Sequence, residues 1–323
     1  MSRWATRPTR RGVAVAAVAV VGGLLAARFG PRSLNAVVVP CLVALVAAVV
    51  QVRLRSRPPT ERALPPDGFP GDTGTVRLRF DVDDPYPAVV EDRLSAGLAG
   101  ETRTETLVGG DPTTYEVEYV ARGEQTVGPA VVRVRDVLGL VERKFVTRGR
   151  RRLLVYPPVR RLSHGVVTSL RSAFVTAEYP GRGEFDGLRE YVRGDDLRDI
   201  HWKTSAKYDD LVIQEHAREA DPSAVTMHAR ASGGDADAMA TAAASVADAL
   251  LGAGVPVVLV TPGGRVEAGP DERIRVLEHL ARAPAGSTAD EEADVVVDAR
   301  ADGTHVRAGS METTFEQLAG GTA

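Results

Sequence analysis

The sequence predicts a membrane-anchored α+β chain: a two-helix transmembrane hairpin, then a β-sandwich domain, then an α/β domain with a mainly parallel sheet. Three observations carry that expectation. Two uncharged apolar runs stand in tandem near the N-terminus, short strand-like alternations follow them, and the last third alternates apolar runs with helical patterns. A composition of 44% hydrophobic and 26% charged residues over 323 positions excludes a disordered or fibrous chain. The net charge of −3 hides an uneven distribution: residues 1–63 carry ten arginines and one acid, residues 64–208 are balanced, and residues 209–323 hold 8 basic against 20 acidic residues. That pattern disfavours a nucleic-acid partner. The lone Cys41 lies in an apolar run and excludes an intramolecular disulfide.

The first apolar run, Gly12 to Ala27, reaches roughly 24 Å as a helix and the second, Leu34 to Val52, roughly 28 Å, against a hydrocarbon core of about 30 Å. A backbone crossing lipid must satisfy its own hydrogen bonds, so a helical hairpin turning at Gly30-Pro31 is expected over residues 1–57. Arg3, Arg7, Arg10 and Arg11 precede the pair and Arg53, Arg55, Arg57 and Arg62 follow it, with only Arg28 and Arg32 between. The positive-inside bias puts the body in the cytoplasm and makes the chain a multi-pass protein of the cell (inner) membrane. A cleaved signal peptide is the competing reading, but it leaves the longer second run unexplained.

Residues 58–74, with Pro58, Pro59, Pro65, Pro66 and Pro70, read as an extended linker. From Thr75, Val76, Leu78, Phe80 and Val82 alternate with polar residues. So do Tyr115, Val117 and Tyr119, then Val132 and Val134, and Leu153 to Tyr156 forms a further run. These short strands predict an antiparallel β-sandwich over 75–157. In 158–323, apolar runs at Ala224–Met227, Val255–Val260 and Val295–Val297 enclose two helical patterns, one carrying Met239, Ala243, Val246 and Leu250 and the other Ile274, Leu277, Leu280 and Ala281. Strands alternating with helices predict the parallel sheet.

Between these regions, residues 179–207 concentrate aromatic residues, acids and arginines, including Trp202, Lys203 and Lys207. Gly194 suits a turn, Asp195 or Asp196 can cap a short helix toward Trp202, and Arg189 and Arg198 can form bidentate pairs with Glu184, Asp195, Asp196 or Asp199. Asp195, Asp196 and His201 could also be drawn as a hydrolase or metal site, but their spacing matches no ligand motif. No P-loop, H-E-x-x-H or G-x-S-x-G occurs. Lys203 and Lys207 beside Ser205 read as solvated or ion-paired rather than as a Ser-Lys pair. The arginines at 148, 150–152, 160 and 161 read as a solvated strand edge rather than a phosphate-binding patch.

The segment resembles the signature of the DUF 58 family (domain of unknown function 58), roughly E-F-x-x-L-R-x-Y-x-x-G-D-D-x-R-x-I-x-W-x-x-S-A-R. Glu184, Phe185, Leu188, Arg189, Tyr191, Gly194, Asp195, Asp196, Arg198, Ile200, Trp202, Ser205 and Ala206 fall in register, with Lys207 in place of the usual arginine. Arg122-Gly123, Asp136–Leu140 and Val155-Tyr156-Pro157 resemble the family's R-G, D-P-F-G-L and V-Y-P elements, with Val137 and Leu138 departing from Pro and Phe. The resemblance implies a von Willebrand A-like C-terminal domain and a partnership with a MoxR-type AAA+ ATPase. On that basis the expected role is a non-enzymatic membrane-anchored adaptor, with Glu184 to Lys207, His201 and Lys203 included, as the docking element. An envelope-associated hydrolase or a structural scaffold is the alternative. A metal-binding type A domain needs D-x-S-x-S after its first strand, whereas Met227-His228-Ala229-Arg230-Ala231-Ser232 holds no aspartate. No metal and no cofactor are therefore expected.

Overall fold

Uncharged Ala, Val and Leu on every side make the first two helices. A computed structural model places α1 at Arg10–Phe29 and α2 at Arg32–Leu54, both long and apolar enough to cross a bilayer. It describes residues 6–29, 32–163, 168, 188–190, 212–214, 224–233, 235–288, 293–309 and 311–320. The chain divides into two compact units, Met1–Tyr156 and Pro157–Ala323. Thr9 caps α1, its hydroxyl accepting from the Gly12 N–H at 3.1 Å. The helices lie close together at Gly22, where an added Cβ would sit 2.9 Å from a Val38 methyl. Elsewhere Val18, Val20, Leu24, Val43 and Val46 are exposed.

The helix pair is not separated from the β-domain by a free tether. Strand β1 (Thr6–Pro8), within the expected N-terminal basic segment, precedes α1, and β2 (Thr60–Ala63) follows α2. The expected linker over 58–74 therefore contains a strand: a one-sided pattern with Arg62 inward lets Thr60–Ala63 pair antiparallel with the next strand. The sandwich continues through β3 (Thr73–Phe80), β4 (Tyr86–Glu91), β5 (Leu98–Ala99), β6 (Arg103–Val108) and β7 (Thr113–Tyr119). It closes with β8 (Gly123–Val127), β9 (Val131–Arg135), β10 (Val141–Val146) and β11 (Arg151–Val155). One sheet runs β1-β10-β9-β4-β6, the other β2-β3-β7-β5, and β11 pairs with β8. The inward residues of the alternations, Val76, Leu78 and Phe80 against Val90, Val132, Val134 and Phe145, form one buried core.

Inside that sandwich sits an ion pair. Arg62 donates from Nε and Nη2 to the two Asp92 oxygens at 2.9 Å each, and the Tyr115 hydroxyl donates to Asp92 Oδ2 at 2.7 Å. The side chains of Arg62 and Asp92 are 3% and 0% exposed. Burial, with the adjacent Asp92 carboxylate, pushes the Tyr115 phenol far above its ordinary ionisation, so it remains a donor.

In the second unit a short ribbon pairs β12 (Leu188–Glu190) with β13 (Val212–Gln214). The main sheet comprises β14 (Val225–Ala231), β15 (Val257–Thr261), β16 (Gly264–Ala268), β17 (Val295–Arg300), β18 (Gly303–Ala308) and β19 (Met311–Thr314). Helices α3 (Ala236–Gly252), α4 (Arg273–Arg282) and α5 (Phe315–Leu318) complete it. The order is β16-β15-β14-β17-β18-β19, with β14 parallel to β15 and β17 and all other neighbours antiparallel. The sheet is thus mixed rather than mainly parallel, because Pro262-Gly263 and Ala301-Asp302 are too short to connect anything but hairpins. The expected face of α3 is buried at Met239, Ala243, Val246 and Leu250. On α4, Ile274 is exposed and Val276 takes its place beside Leu277, Leu280 and Ala281.

Replacing Arg62 by Met strands the Asp92 charge, so Arg62→Met should lower the unfolding free energy by about 3–5 kcal/mol in urea titrations. Arg62→Met combined with Asp92→Leu should cost less than Arg62→Met alone. A double variant no more stable than the single one would show that the buried charge is not the source.

Candidate functional site

Of the signature positions, the described residues include Leu188, Arg189 and the intervening Glu190 of β12. Leu188 faces Gln214, Arg189 faces Ile213 and Glu190 faces Val212 across the ribbon. Arg189, expected to pair with a carboxylate and to belong to the docking element, lies in a strand. Glu184, Phe185, Tyr191, Gly194, Asp195, Asp196, Arg198, Ile200, His201, Trp202, Lys203, Ser205, Ala206 and Lys207 lie outside the described residues.

A second polar cluster lies toward the carboxyl ends of the parallel strands β14 and β17, where the strand order switches sides. Such switch points are where open α/β sheets receive ligands. Arg230 and Asp298 are cross-strand partners there. The Asp298 Oδ2 atom is 3.2 Å from Arg230 Nε and accepts from Arg300 Nε at 3.0 Å. Burial works against ionisation of Asp298, but Arg300, the Ser232 hydroxyl and Arg230 together outweigh it and hold the carboxyl below the usual range. The Asp298 carboxylate is therefore engaged by two guanidinium groups, Arg230 across the strands and Arg300 on its own strand. Among the described residues no three His, Cys, Asp or Glu side chains converge. His279, given no role by its spacing, shares a 2.8 Å hydrogen bond with the Thr261 hydroxyl, and burial is the main cause of its lowered pKa.

The third arrangement joins the helices to the sandwich. Arg143 of β10 places Nη1 3.2, 2.9 and 2.9 Å from the carbonyls of Val52, Arg53 and Arg55, satisfying the last turn of α2. Beside it a cleft of about 720 Å³ opens between the end of α2 and strands β4, β6 and β9, lined by Arg55, Tyr86, Leu107, Arg133 and Val137 among others. The Arg55 guanidinium stacks 4.9 Å from the Tyr86 ring centre and pairs with Asp84. Arg133 pairs with Glu91 at 2.8 Å and Arg135 with Glu142 at 2.9 Å. The cations of this wall are thus locally balanced, which leaves Leu107, Val137 and the Tyr86 ring to set its apolar character. Burial raises the Tyr86 phenol, which has no hydrogen-bond partner among the described residues.

Sequence reasoning missed Arg62, Asp92, Arg143 and the Arg55–Tyr86 stack. Each partner lies dozens of positions away, and no local spacing marks the pairs.

No family model matches the sequence. The chain is 27% identical over 228 residues to the uncharacterized protein YeaD of Bacillus subtilis (strain 168), a match covering 64% of this chain and 57% of that relative's length. Among solved structures, the PKD domain of a peptidase from a Thermoplasmatales archaeon aligns with 31% of this chain and 96% of its own at 13% identity and a TM-score of 0.24. The human seminal-plasma complex of zinc 2-glycoprotein with prolactin inducible protein aligns over 32% of this chain and 98% of its own at 16% identity and a TM-score of 0.22. Scores that low carry no structural argument.

Asp298→Asn should cost about 1.5–3 kcal/mol at neutral pH, the range for hydrogen bonds to a charged group. Because the folded-state pKa is lowered, that stabilisation is present above pH 3.8 and is lost as pH falls through the folded value. The gap between wild type and Asp298→Asn should therefore close in acid; a gap independent of pH would assign the effect to packing.

Proposed function

We propose that this chain is a membrane-anchored interaction protein whose helix pair crosses the inner membrane as a hairpin and holds both folded units on the cytoplasmic side. The observation that carries this reading is the fastening of α1 and α2 to the sandwich by β1 before them and by the Arg143 cap after them. A helix pair built into a β-domain presents that domain at a set height above a bilayer, which suits a docking platform better than a loosely tethered enzyme does. The arginines flanking the pair on its outer ends support a cytoplasmic body. The β-α-β-β-α-β path through β14, α3, β15, β16, α4 and β17 supports a von Willebrand A-like domain as the second unit. Docking of a MoxR-type AAA+ ATPase through residues 184–207, in assembly or maturation of envelope or other protein complexes, rests on the resemblance of that segment to the DUF 58 signature.

Affinity capture of the full-length protein from native membranes, with and without ATP, tests the proposal. An AAA+ ATPase should be enriched in a nucleotide-dependent manner and lost on Arg198→Ala or Trp202→Ala, with the variants retaining wild-type circular dichroism and membrane fractionation. Folded variants that still capture the ATPase, or enrichment of envelope enzymes alone, would count against it.

A further inference from the structure

We propose that the tip of the β9–β10 hairpin, Val137 and Leu138, inserts into the lipid beside the helix pair as a third membrane contact. The inference rests on the reading that α1 and α2 cross the bilayer.

Two large apolar side chains at a hairpin tip are 85% and 56% exposed, Val137 and Leu138 respectively. Their height along the helices is set by the residues around them. The Val137 N–H donates to the Gln51 side chain at 3.3 Å, and the Leu140 carbonyl accepts from the Thr9 N–H at 2.8 Å. A Cβ on Gly12 would strike that same Leu140 carbonyl, so the tip backbone touches the first turn of α1. Leu140 and Val141 are buried with Ala48 and Val52, and Val15, Ala44, Leu45 and Val49 pack against that cluster. The tip therefore stands level with the first turn of α1 and the last turn of α2, where their apolar runs meet the flanking arginines.

Its backbone is prepared for such a place. Lipid penalises unpaired peptide groups, and here the N–H groups of Leu138 and Val141 donate to the Asp136 carboxylate at 2.9 and 2.6 Å. Gly139 N–H donates to the Asp136 carbonyl at 2.9 Å, and the Gly139 carbonyl accepts from the Thr9 hydroxyl at 2.6 Å. Arg10 and Arg11 at the start of α1, Arg53 at the end of α2 and Arg55 just after it, and Arg143, whose guanidinium meets the carbonyls of Val52, Arg53 and Arg55, lie near the same level. That is the placement expected of side chains at the headgroup boundary. Continuity with the two apolar helices identifies the occupant as the bilayer they cross rather than a soluble partner.

The test uses the full-length chain in phosphatidylcholine–phosphatidylglycerol vesicles, with Cys41→Ala and single cysteines carrying an environment-sensitive nitrobenzoxadiazole label. Leu138→Cys and Val137→Cys report the tip, Leu24→Cys the middle of α1, and Arg148→Cys the opposite end of β10. The tip labels should lose most of their emission to nitroxides on lipid headgroups and little to aqueous iodide, while the Arg148 label does the reverse. Tip labels quenched by iodide, with the Leu24 label quenched by lipid, would overturn the insertion and leave the spans standing. Iodide quenching at both Leu24 and the tip would overturn the spans and the insertion together. Tip labels shielded from both quenchers would place them against protein, and that also overturns the proposal.

Discussion

A helix that ends at a sheet leaves carbonyls without partners, and here one arginine from a distant strand satisfies them. Arg143 reaches the carbonyls of Val52, Arg53 and Arg55 while its own strand pairs on one side with β1 and on the other with β9. Because β1 leads directly into α1, a single strand neighbourhood controls both the entry to the helix pair and the exit from it. A Pro-rich segment follows, but by Thr60 β2 has joined the sandwich's other sheet. The helices and the sandwich consequently behave as one body, and the apolar cluster of Ala48, Val52, Leu140 and Val141 extends the joint into the helices.

Both units use the same polar device in different settings. In the sandwich, Asp92 is held by Arg62 and Tyr115 within the core between the sheets, where an unpaired carboxylate would cost several kcal/mol. In the α/β unit, Asp298 takes Arg230 and Arg300 at the ends of parallel strands, closer to solvent. The first arrangement ties β2 to β7 and to the residue that follows β4, with both charged side chains almost wholly buried. The second occupies a topological switch point of the sheet.

Much of the architecture was legible because it is periodic. Val76 to Phe80, Tyr115 to Tyr119 and Val132 to Val134 bury the residues their alternation marks, and Met239 to Leu250 bury the face their spacing marks. What escaped was set by partners far along the chain. Thr60–Ala63 carries too little apolar character to read as a strand and is recruited by an arginine whose carboxylate partner comes thirty residues later. The antiparallel strands β16, β18 and β19 alternate weakly and lie at or beside the sheet edge. The candidate site was legible only as a local concentration of unusual residues. Arg143, Tyr86 and Asp298 derive their roles from tertiary neighbours, and nothing in their own sequence context distinguishes them from other charged or aromatic surface positions.

The central claim is that the helix pair and the sandwich are one rigid body. The most direct measurement is the distance distribution between spin labels at Val21→Cys on α1 and Glu116→Cys on β7, in the Cys41→Ala protein reconstituted into lipid, by double electron–electron resonance. A single narrow distribution is expected, because β1, the Arg143 cap and the Leu140 cluster leave no free joint between the two positions. A broad distribution of the kind produced by a flexible tether would contradict the account.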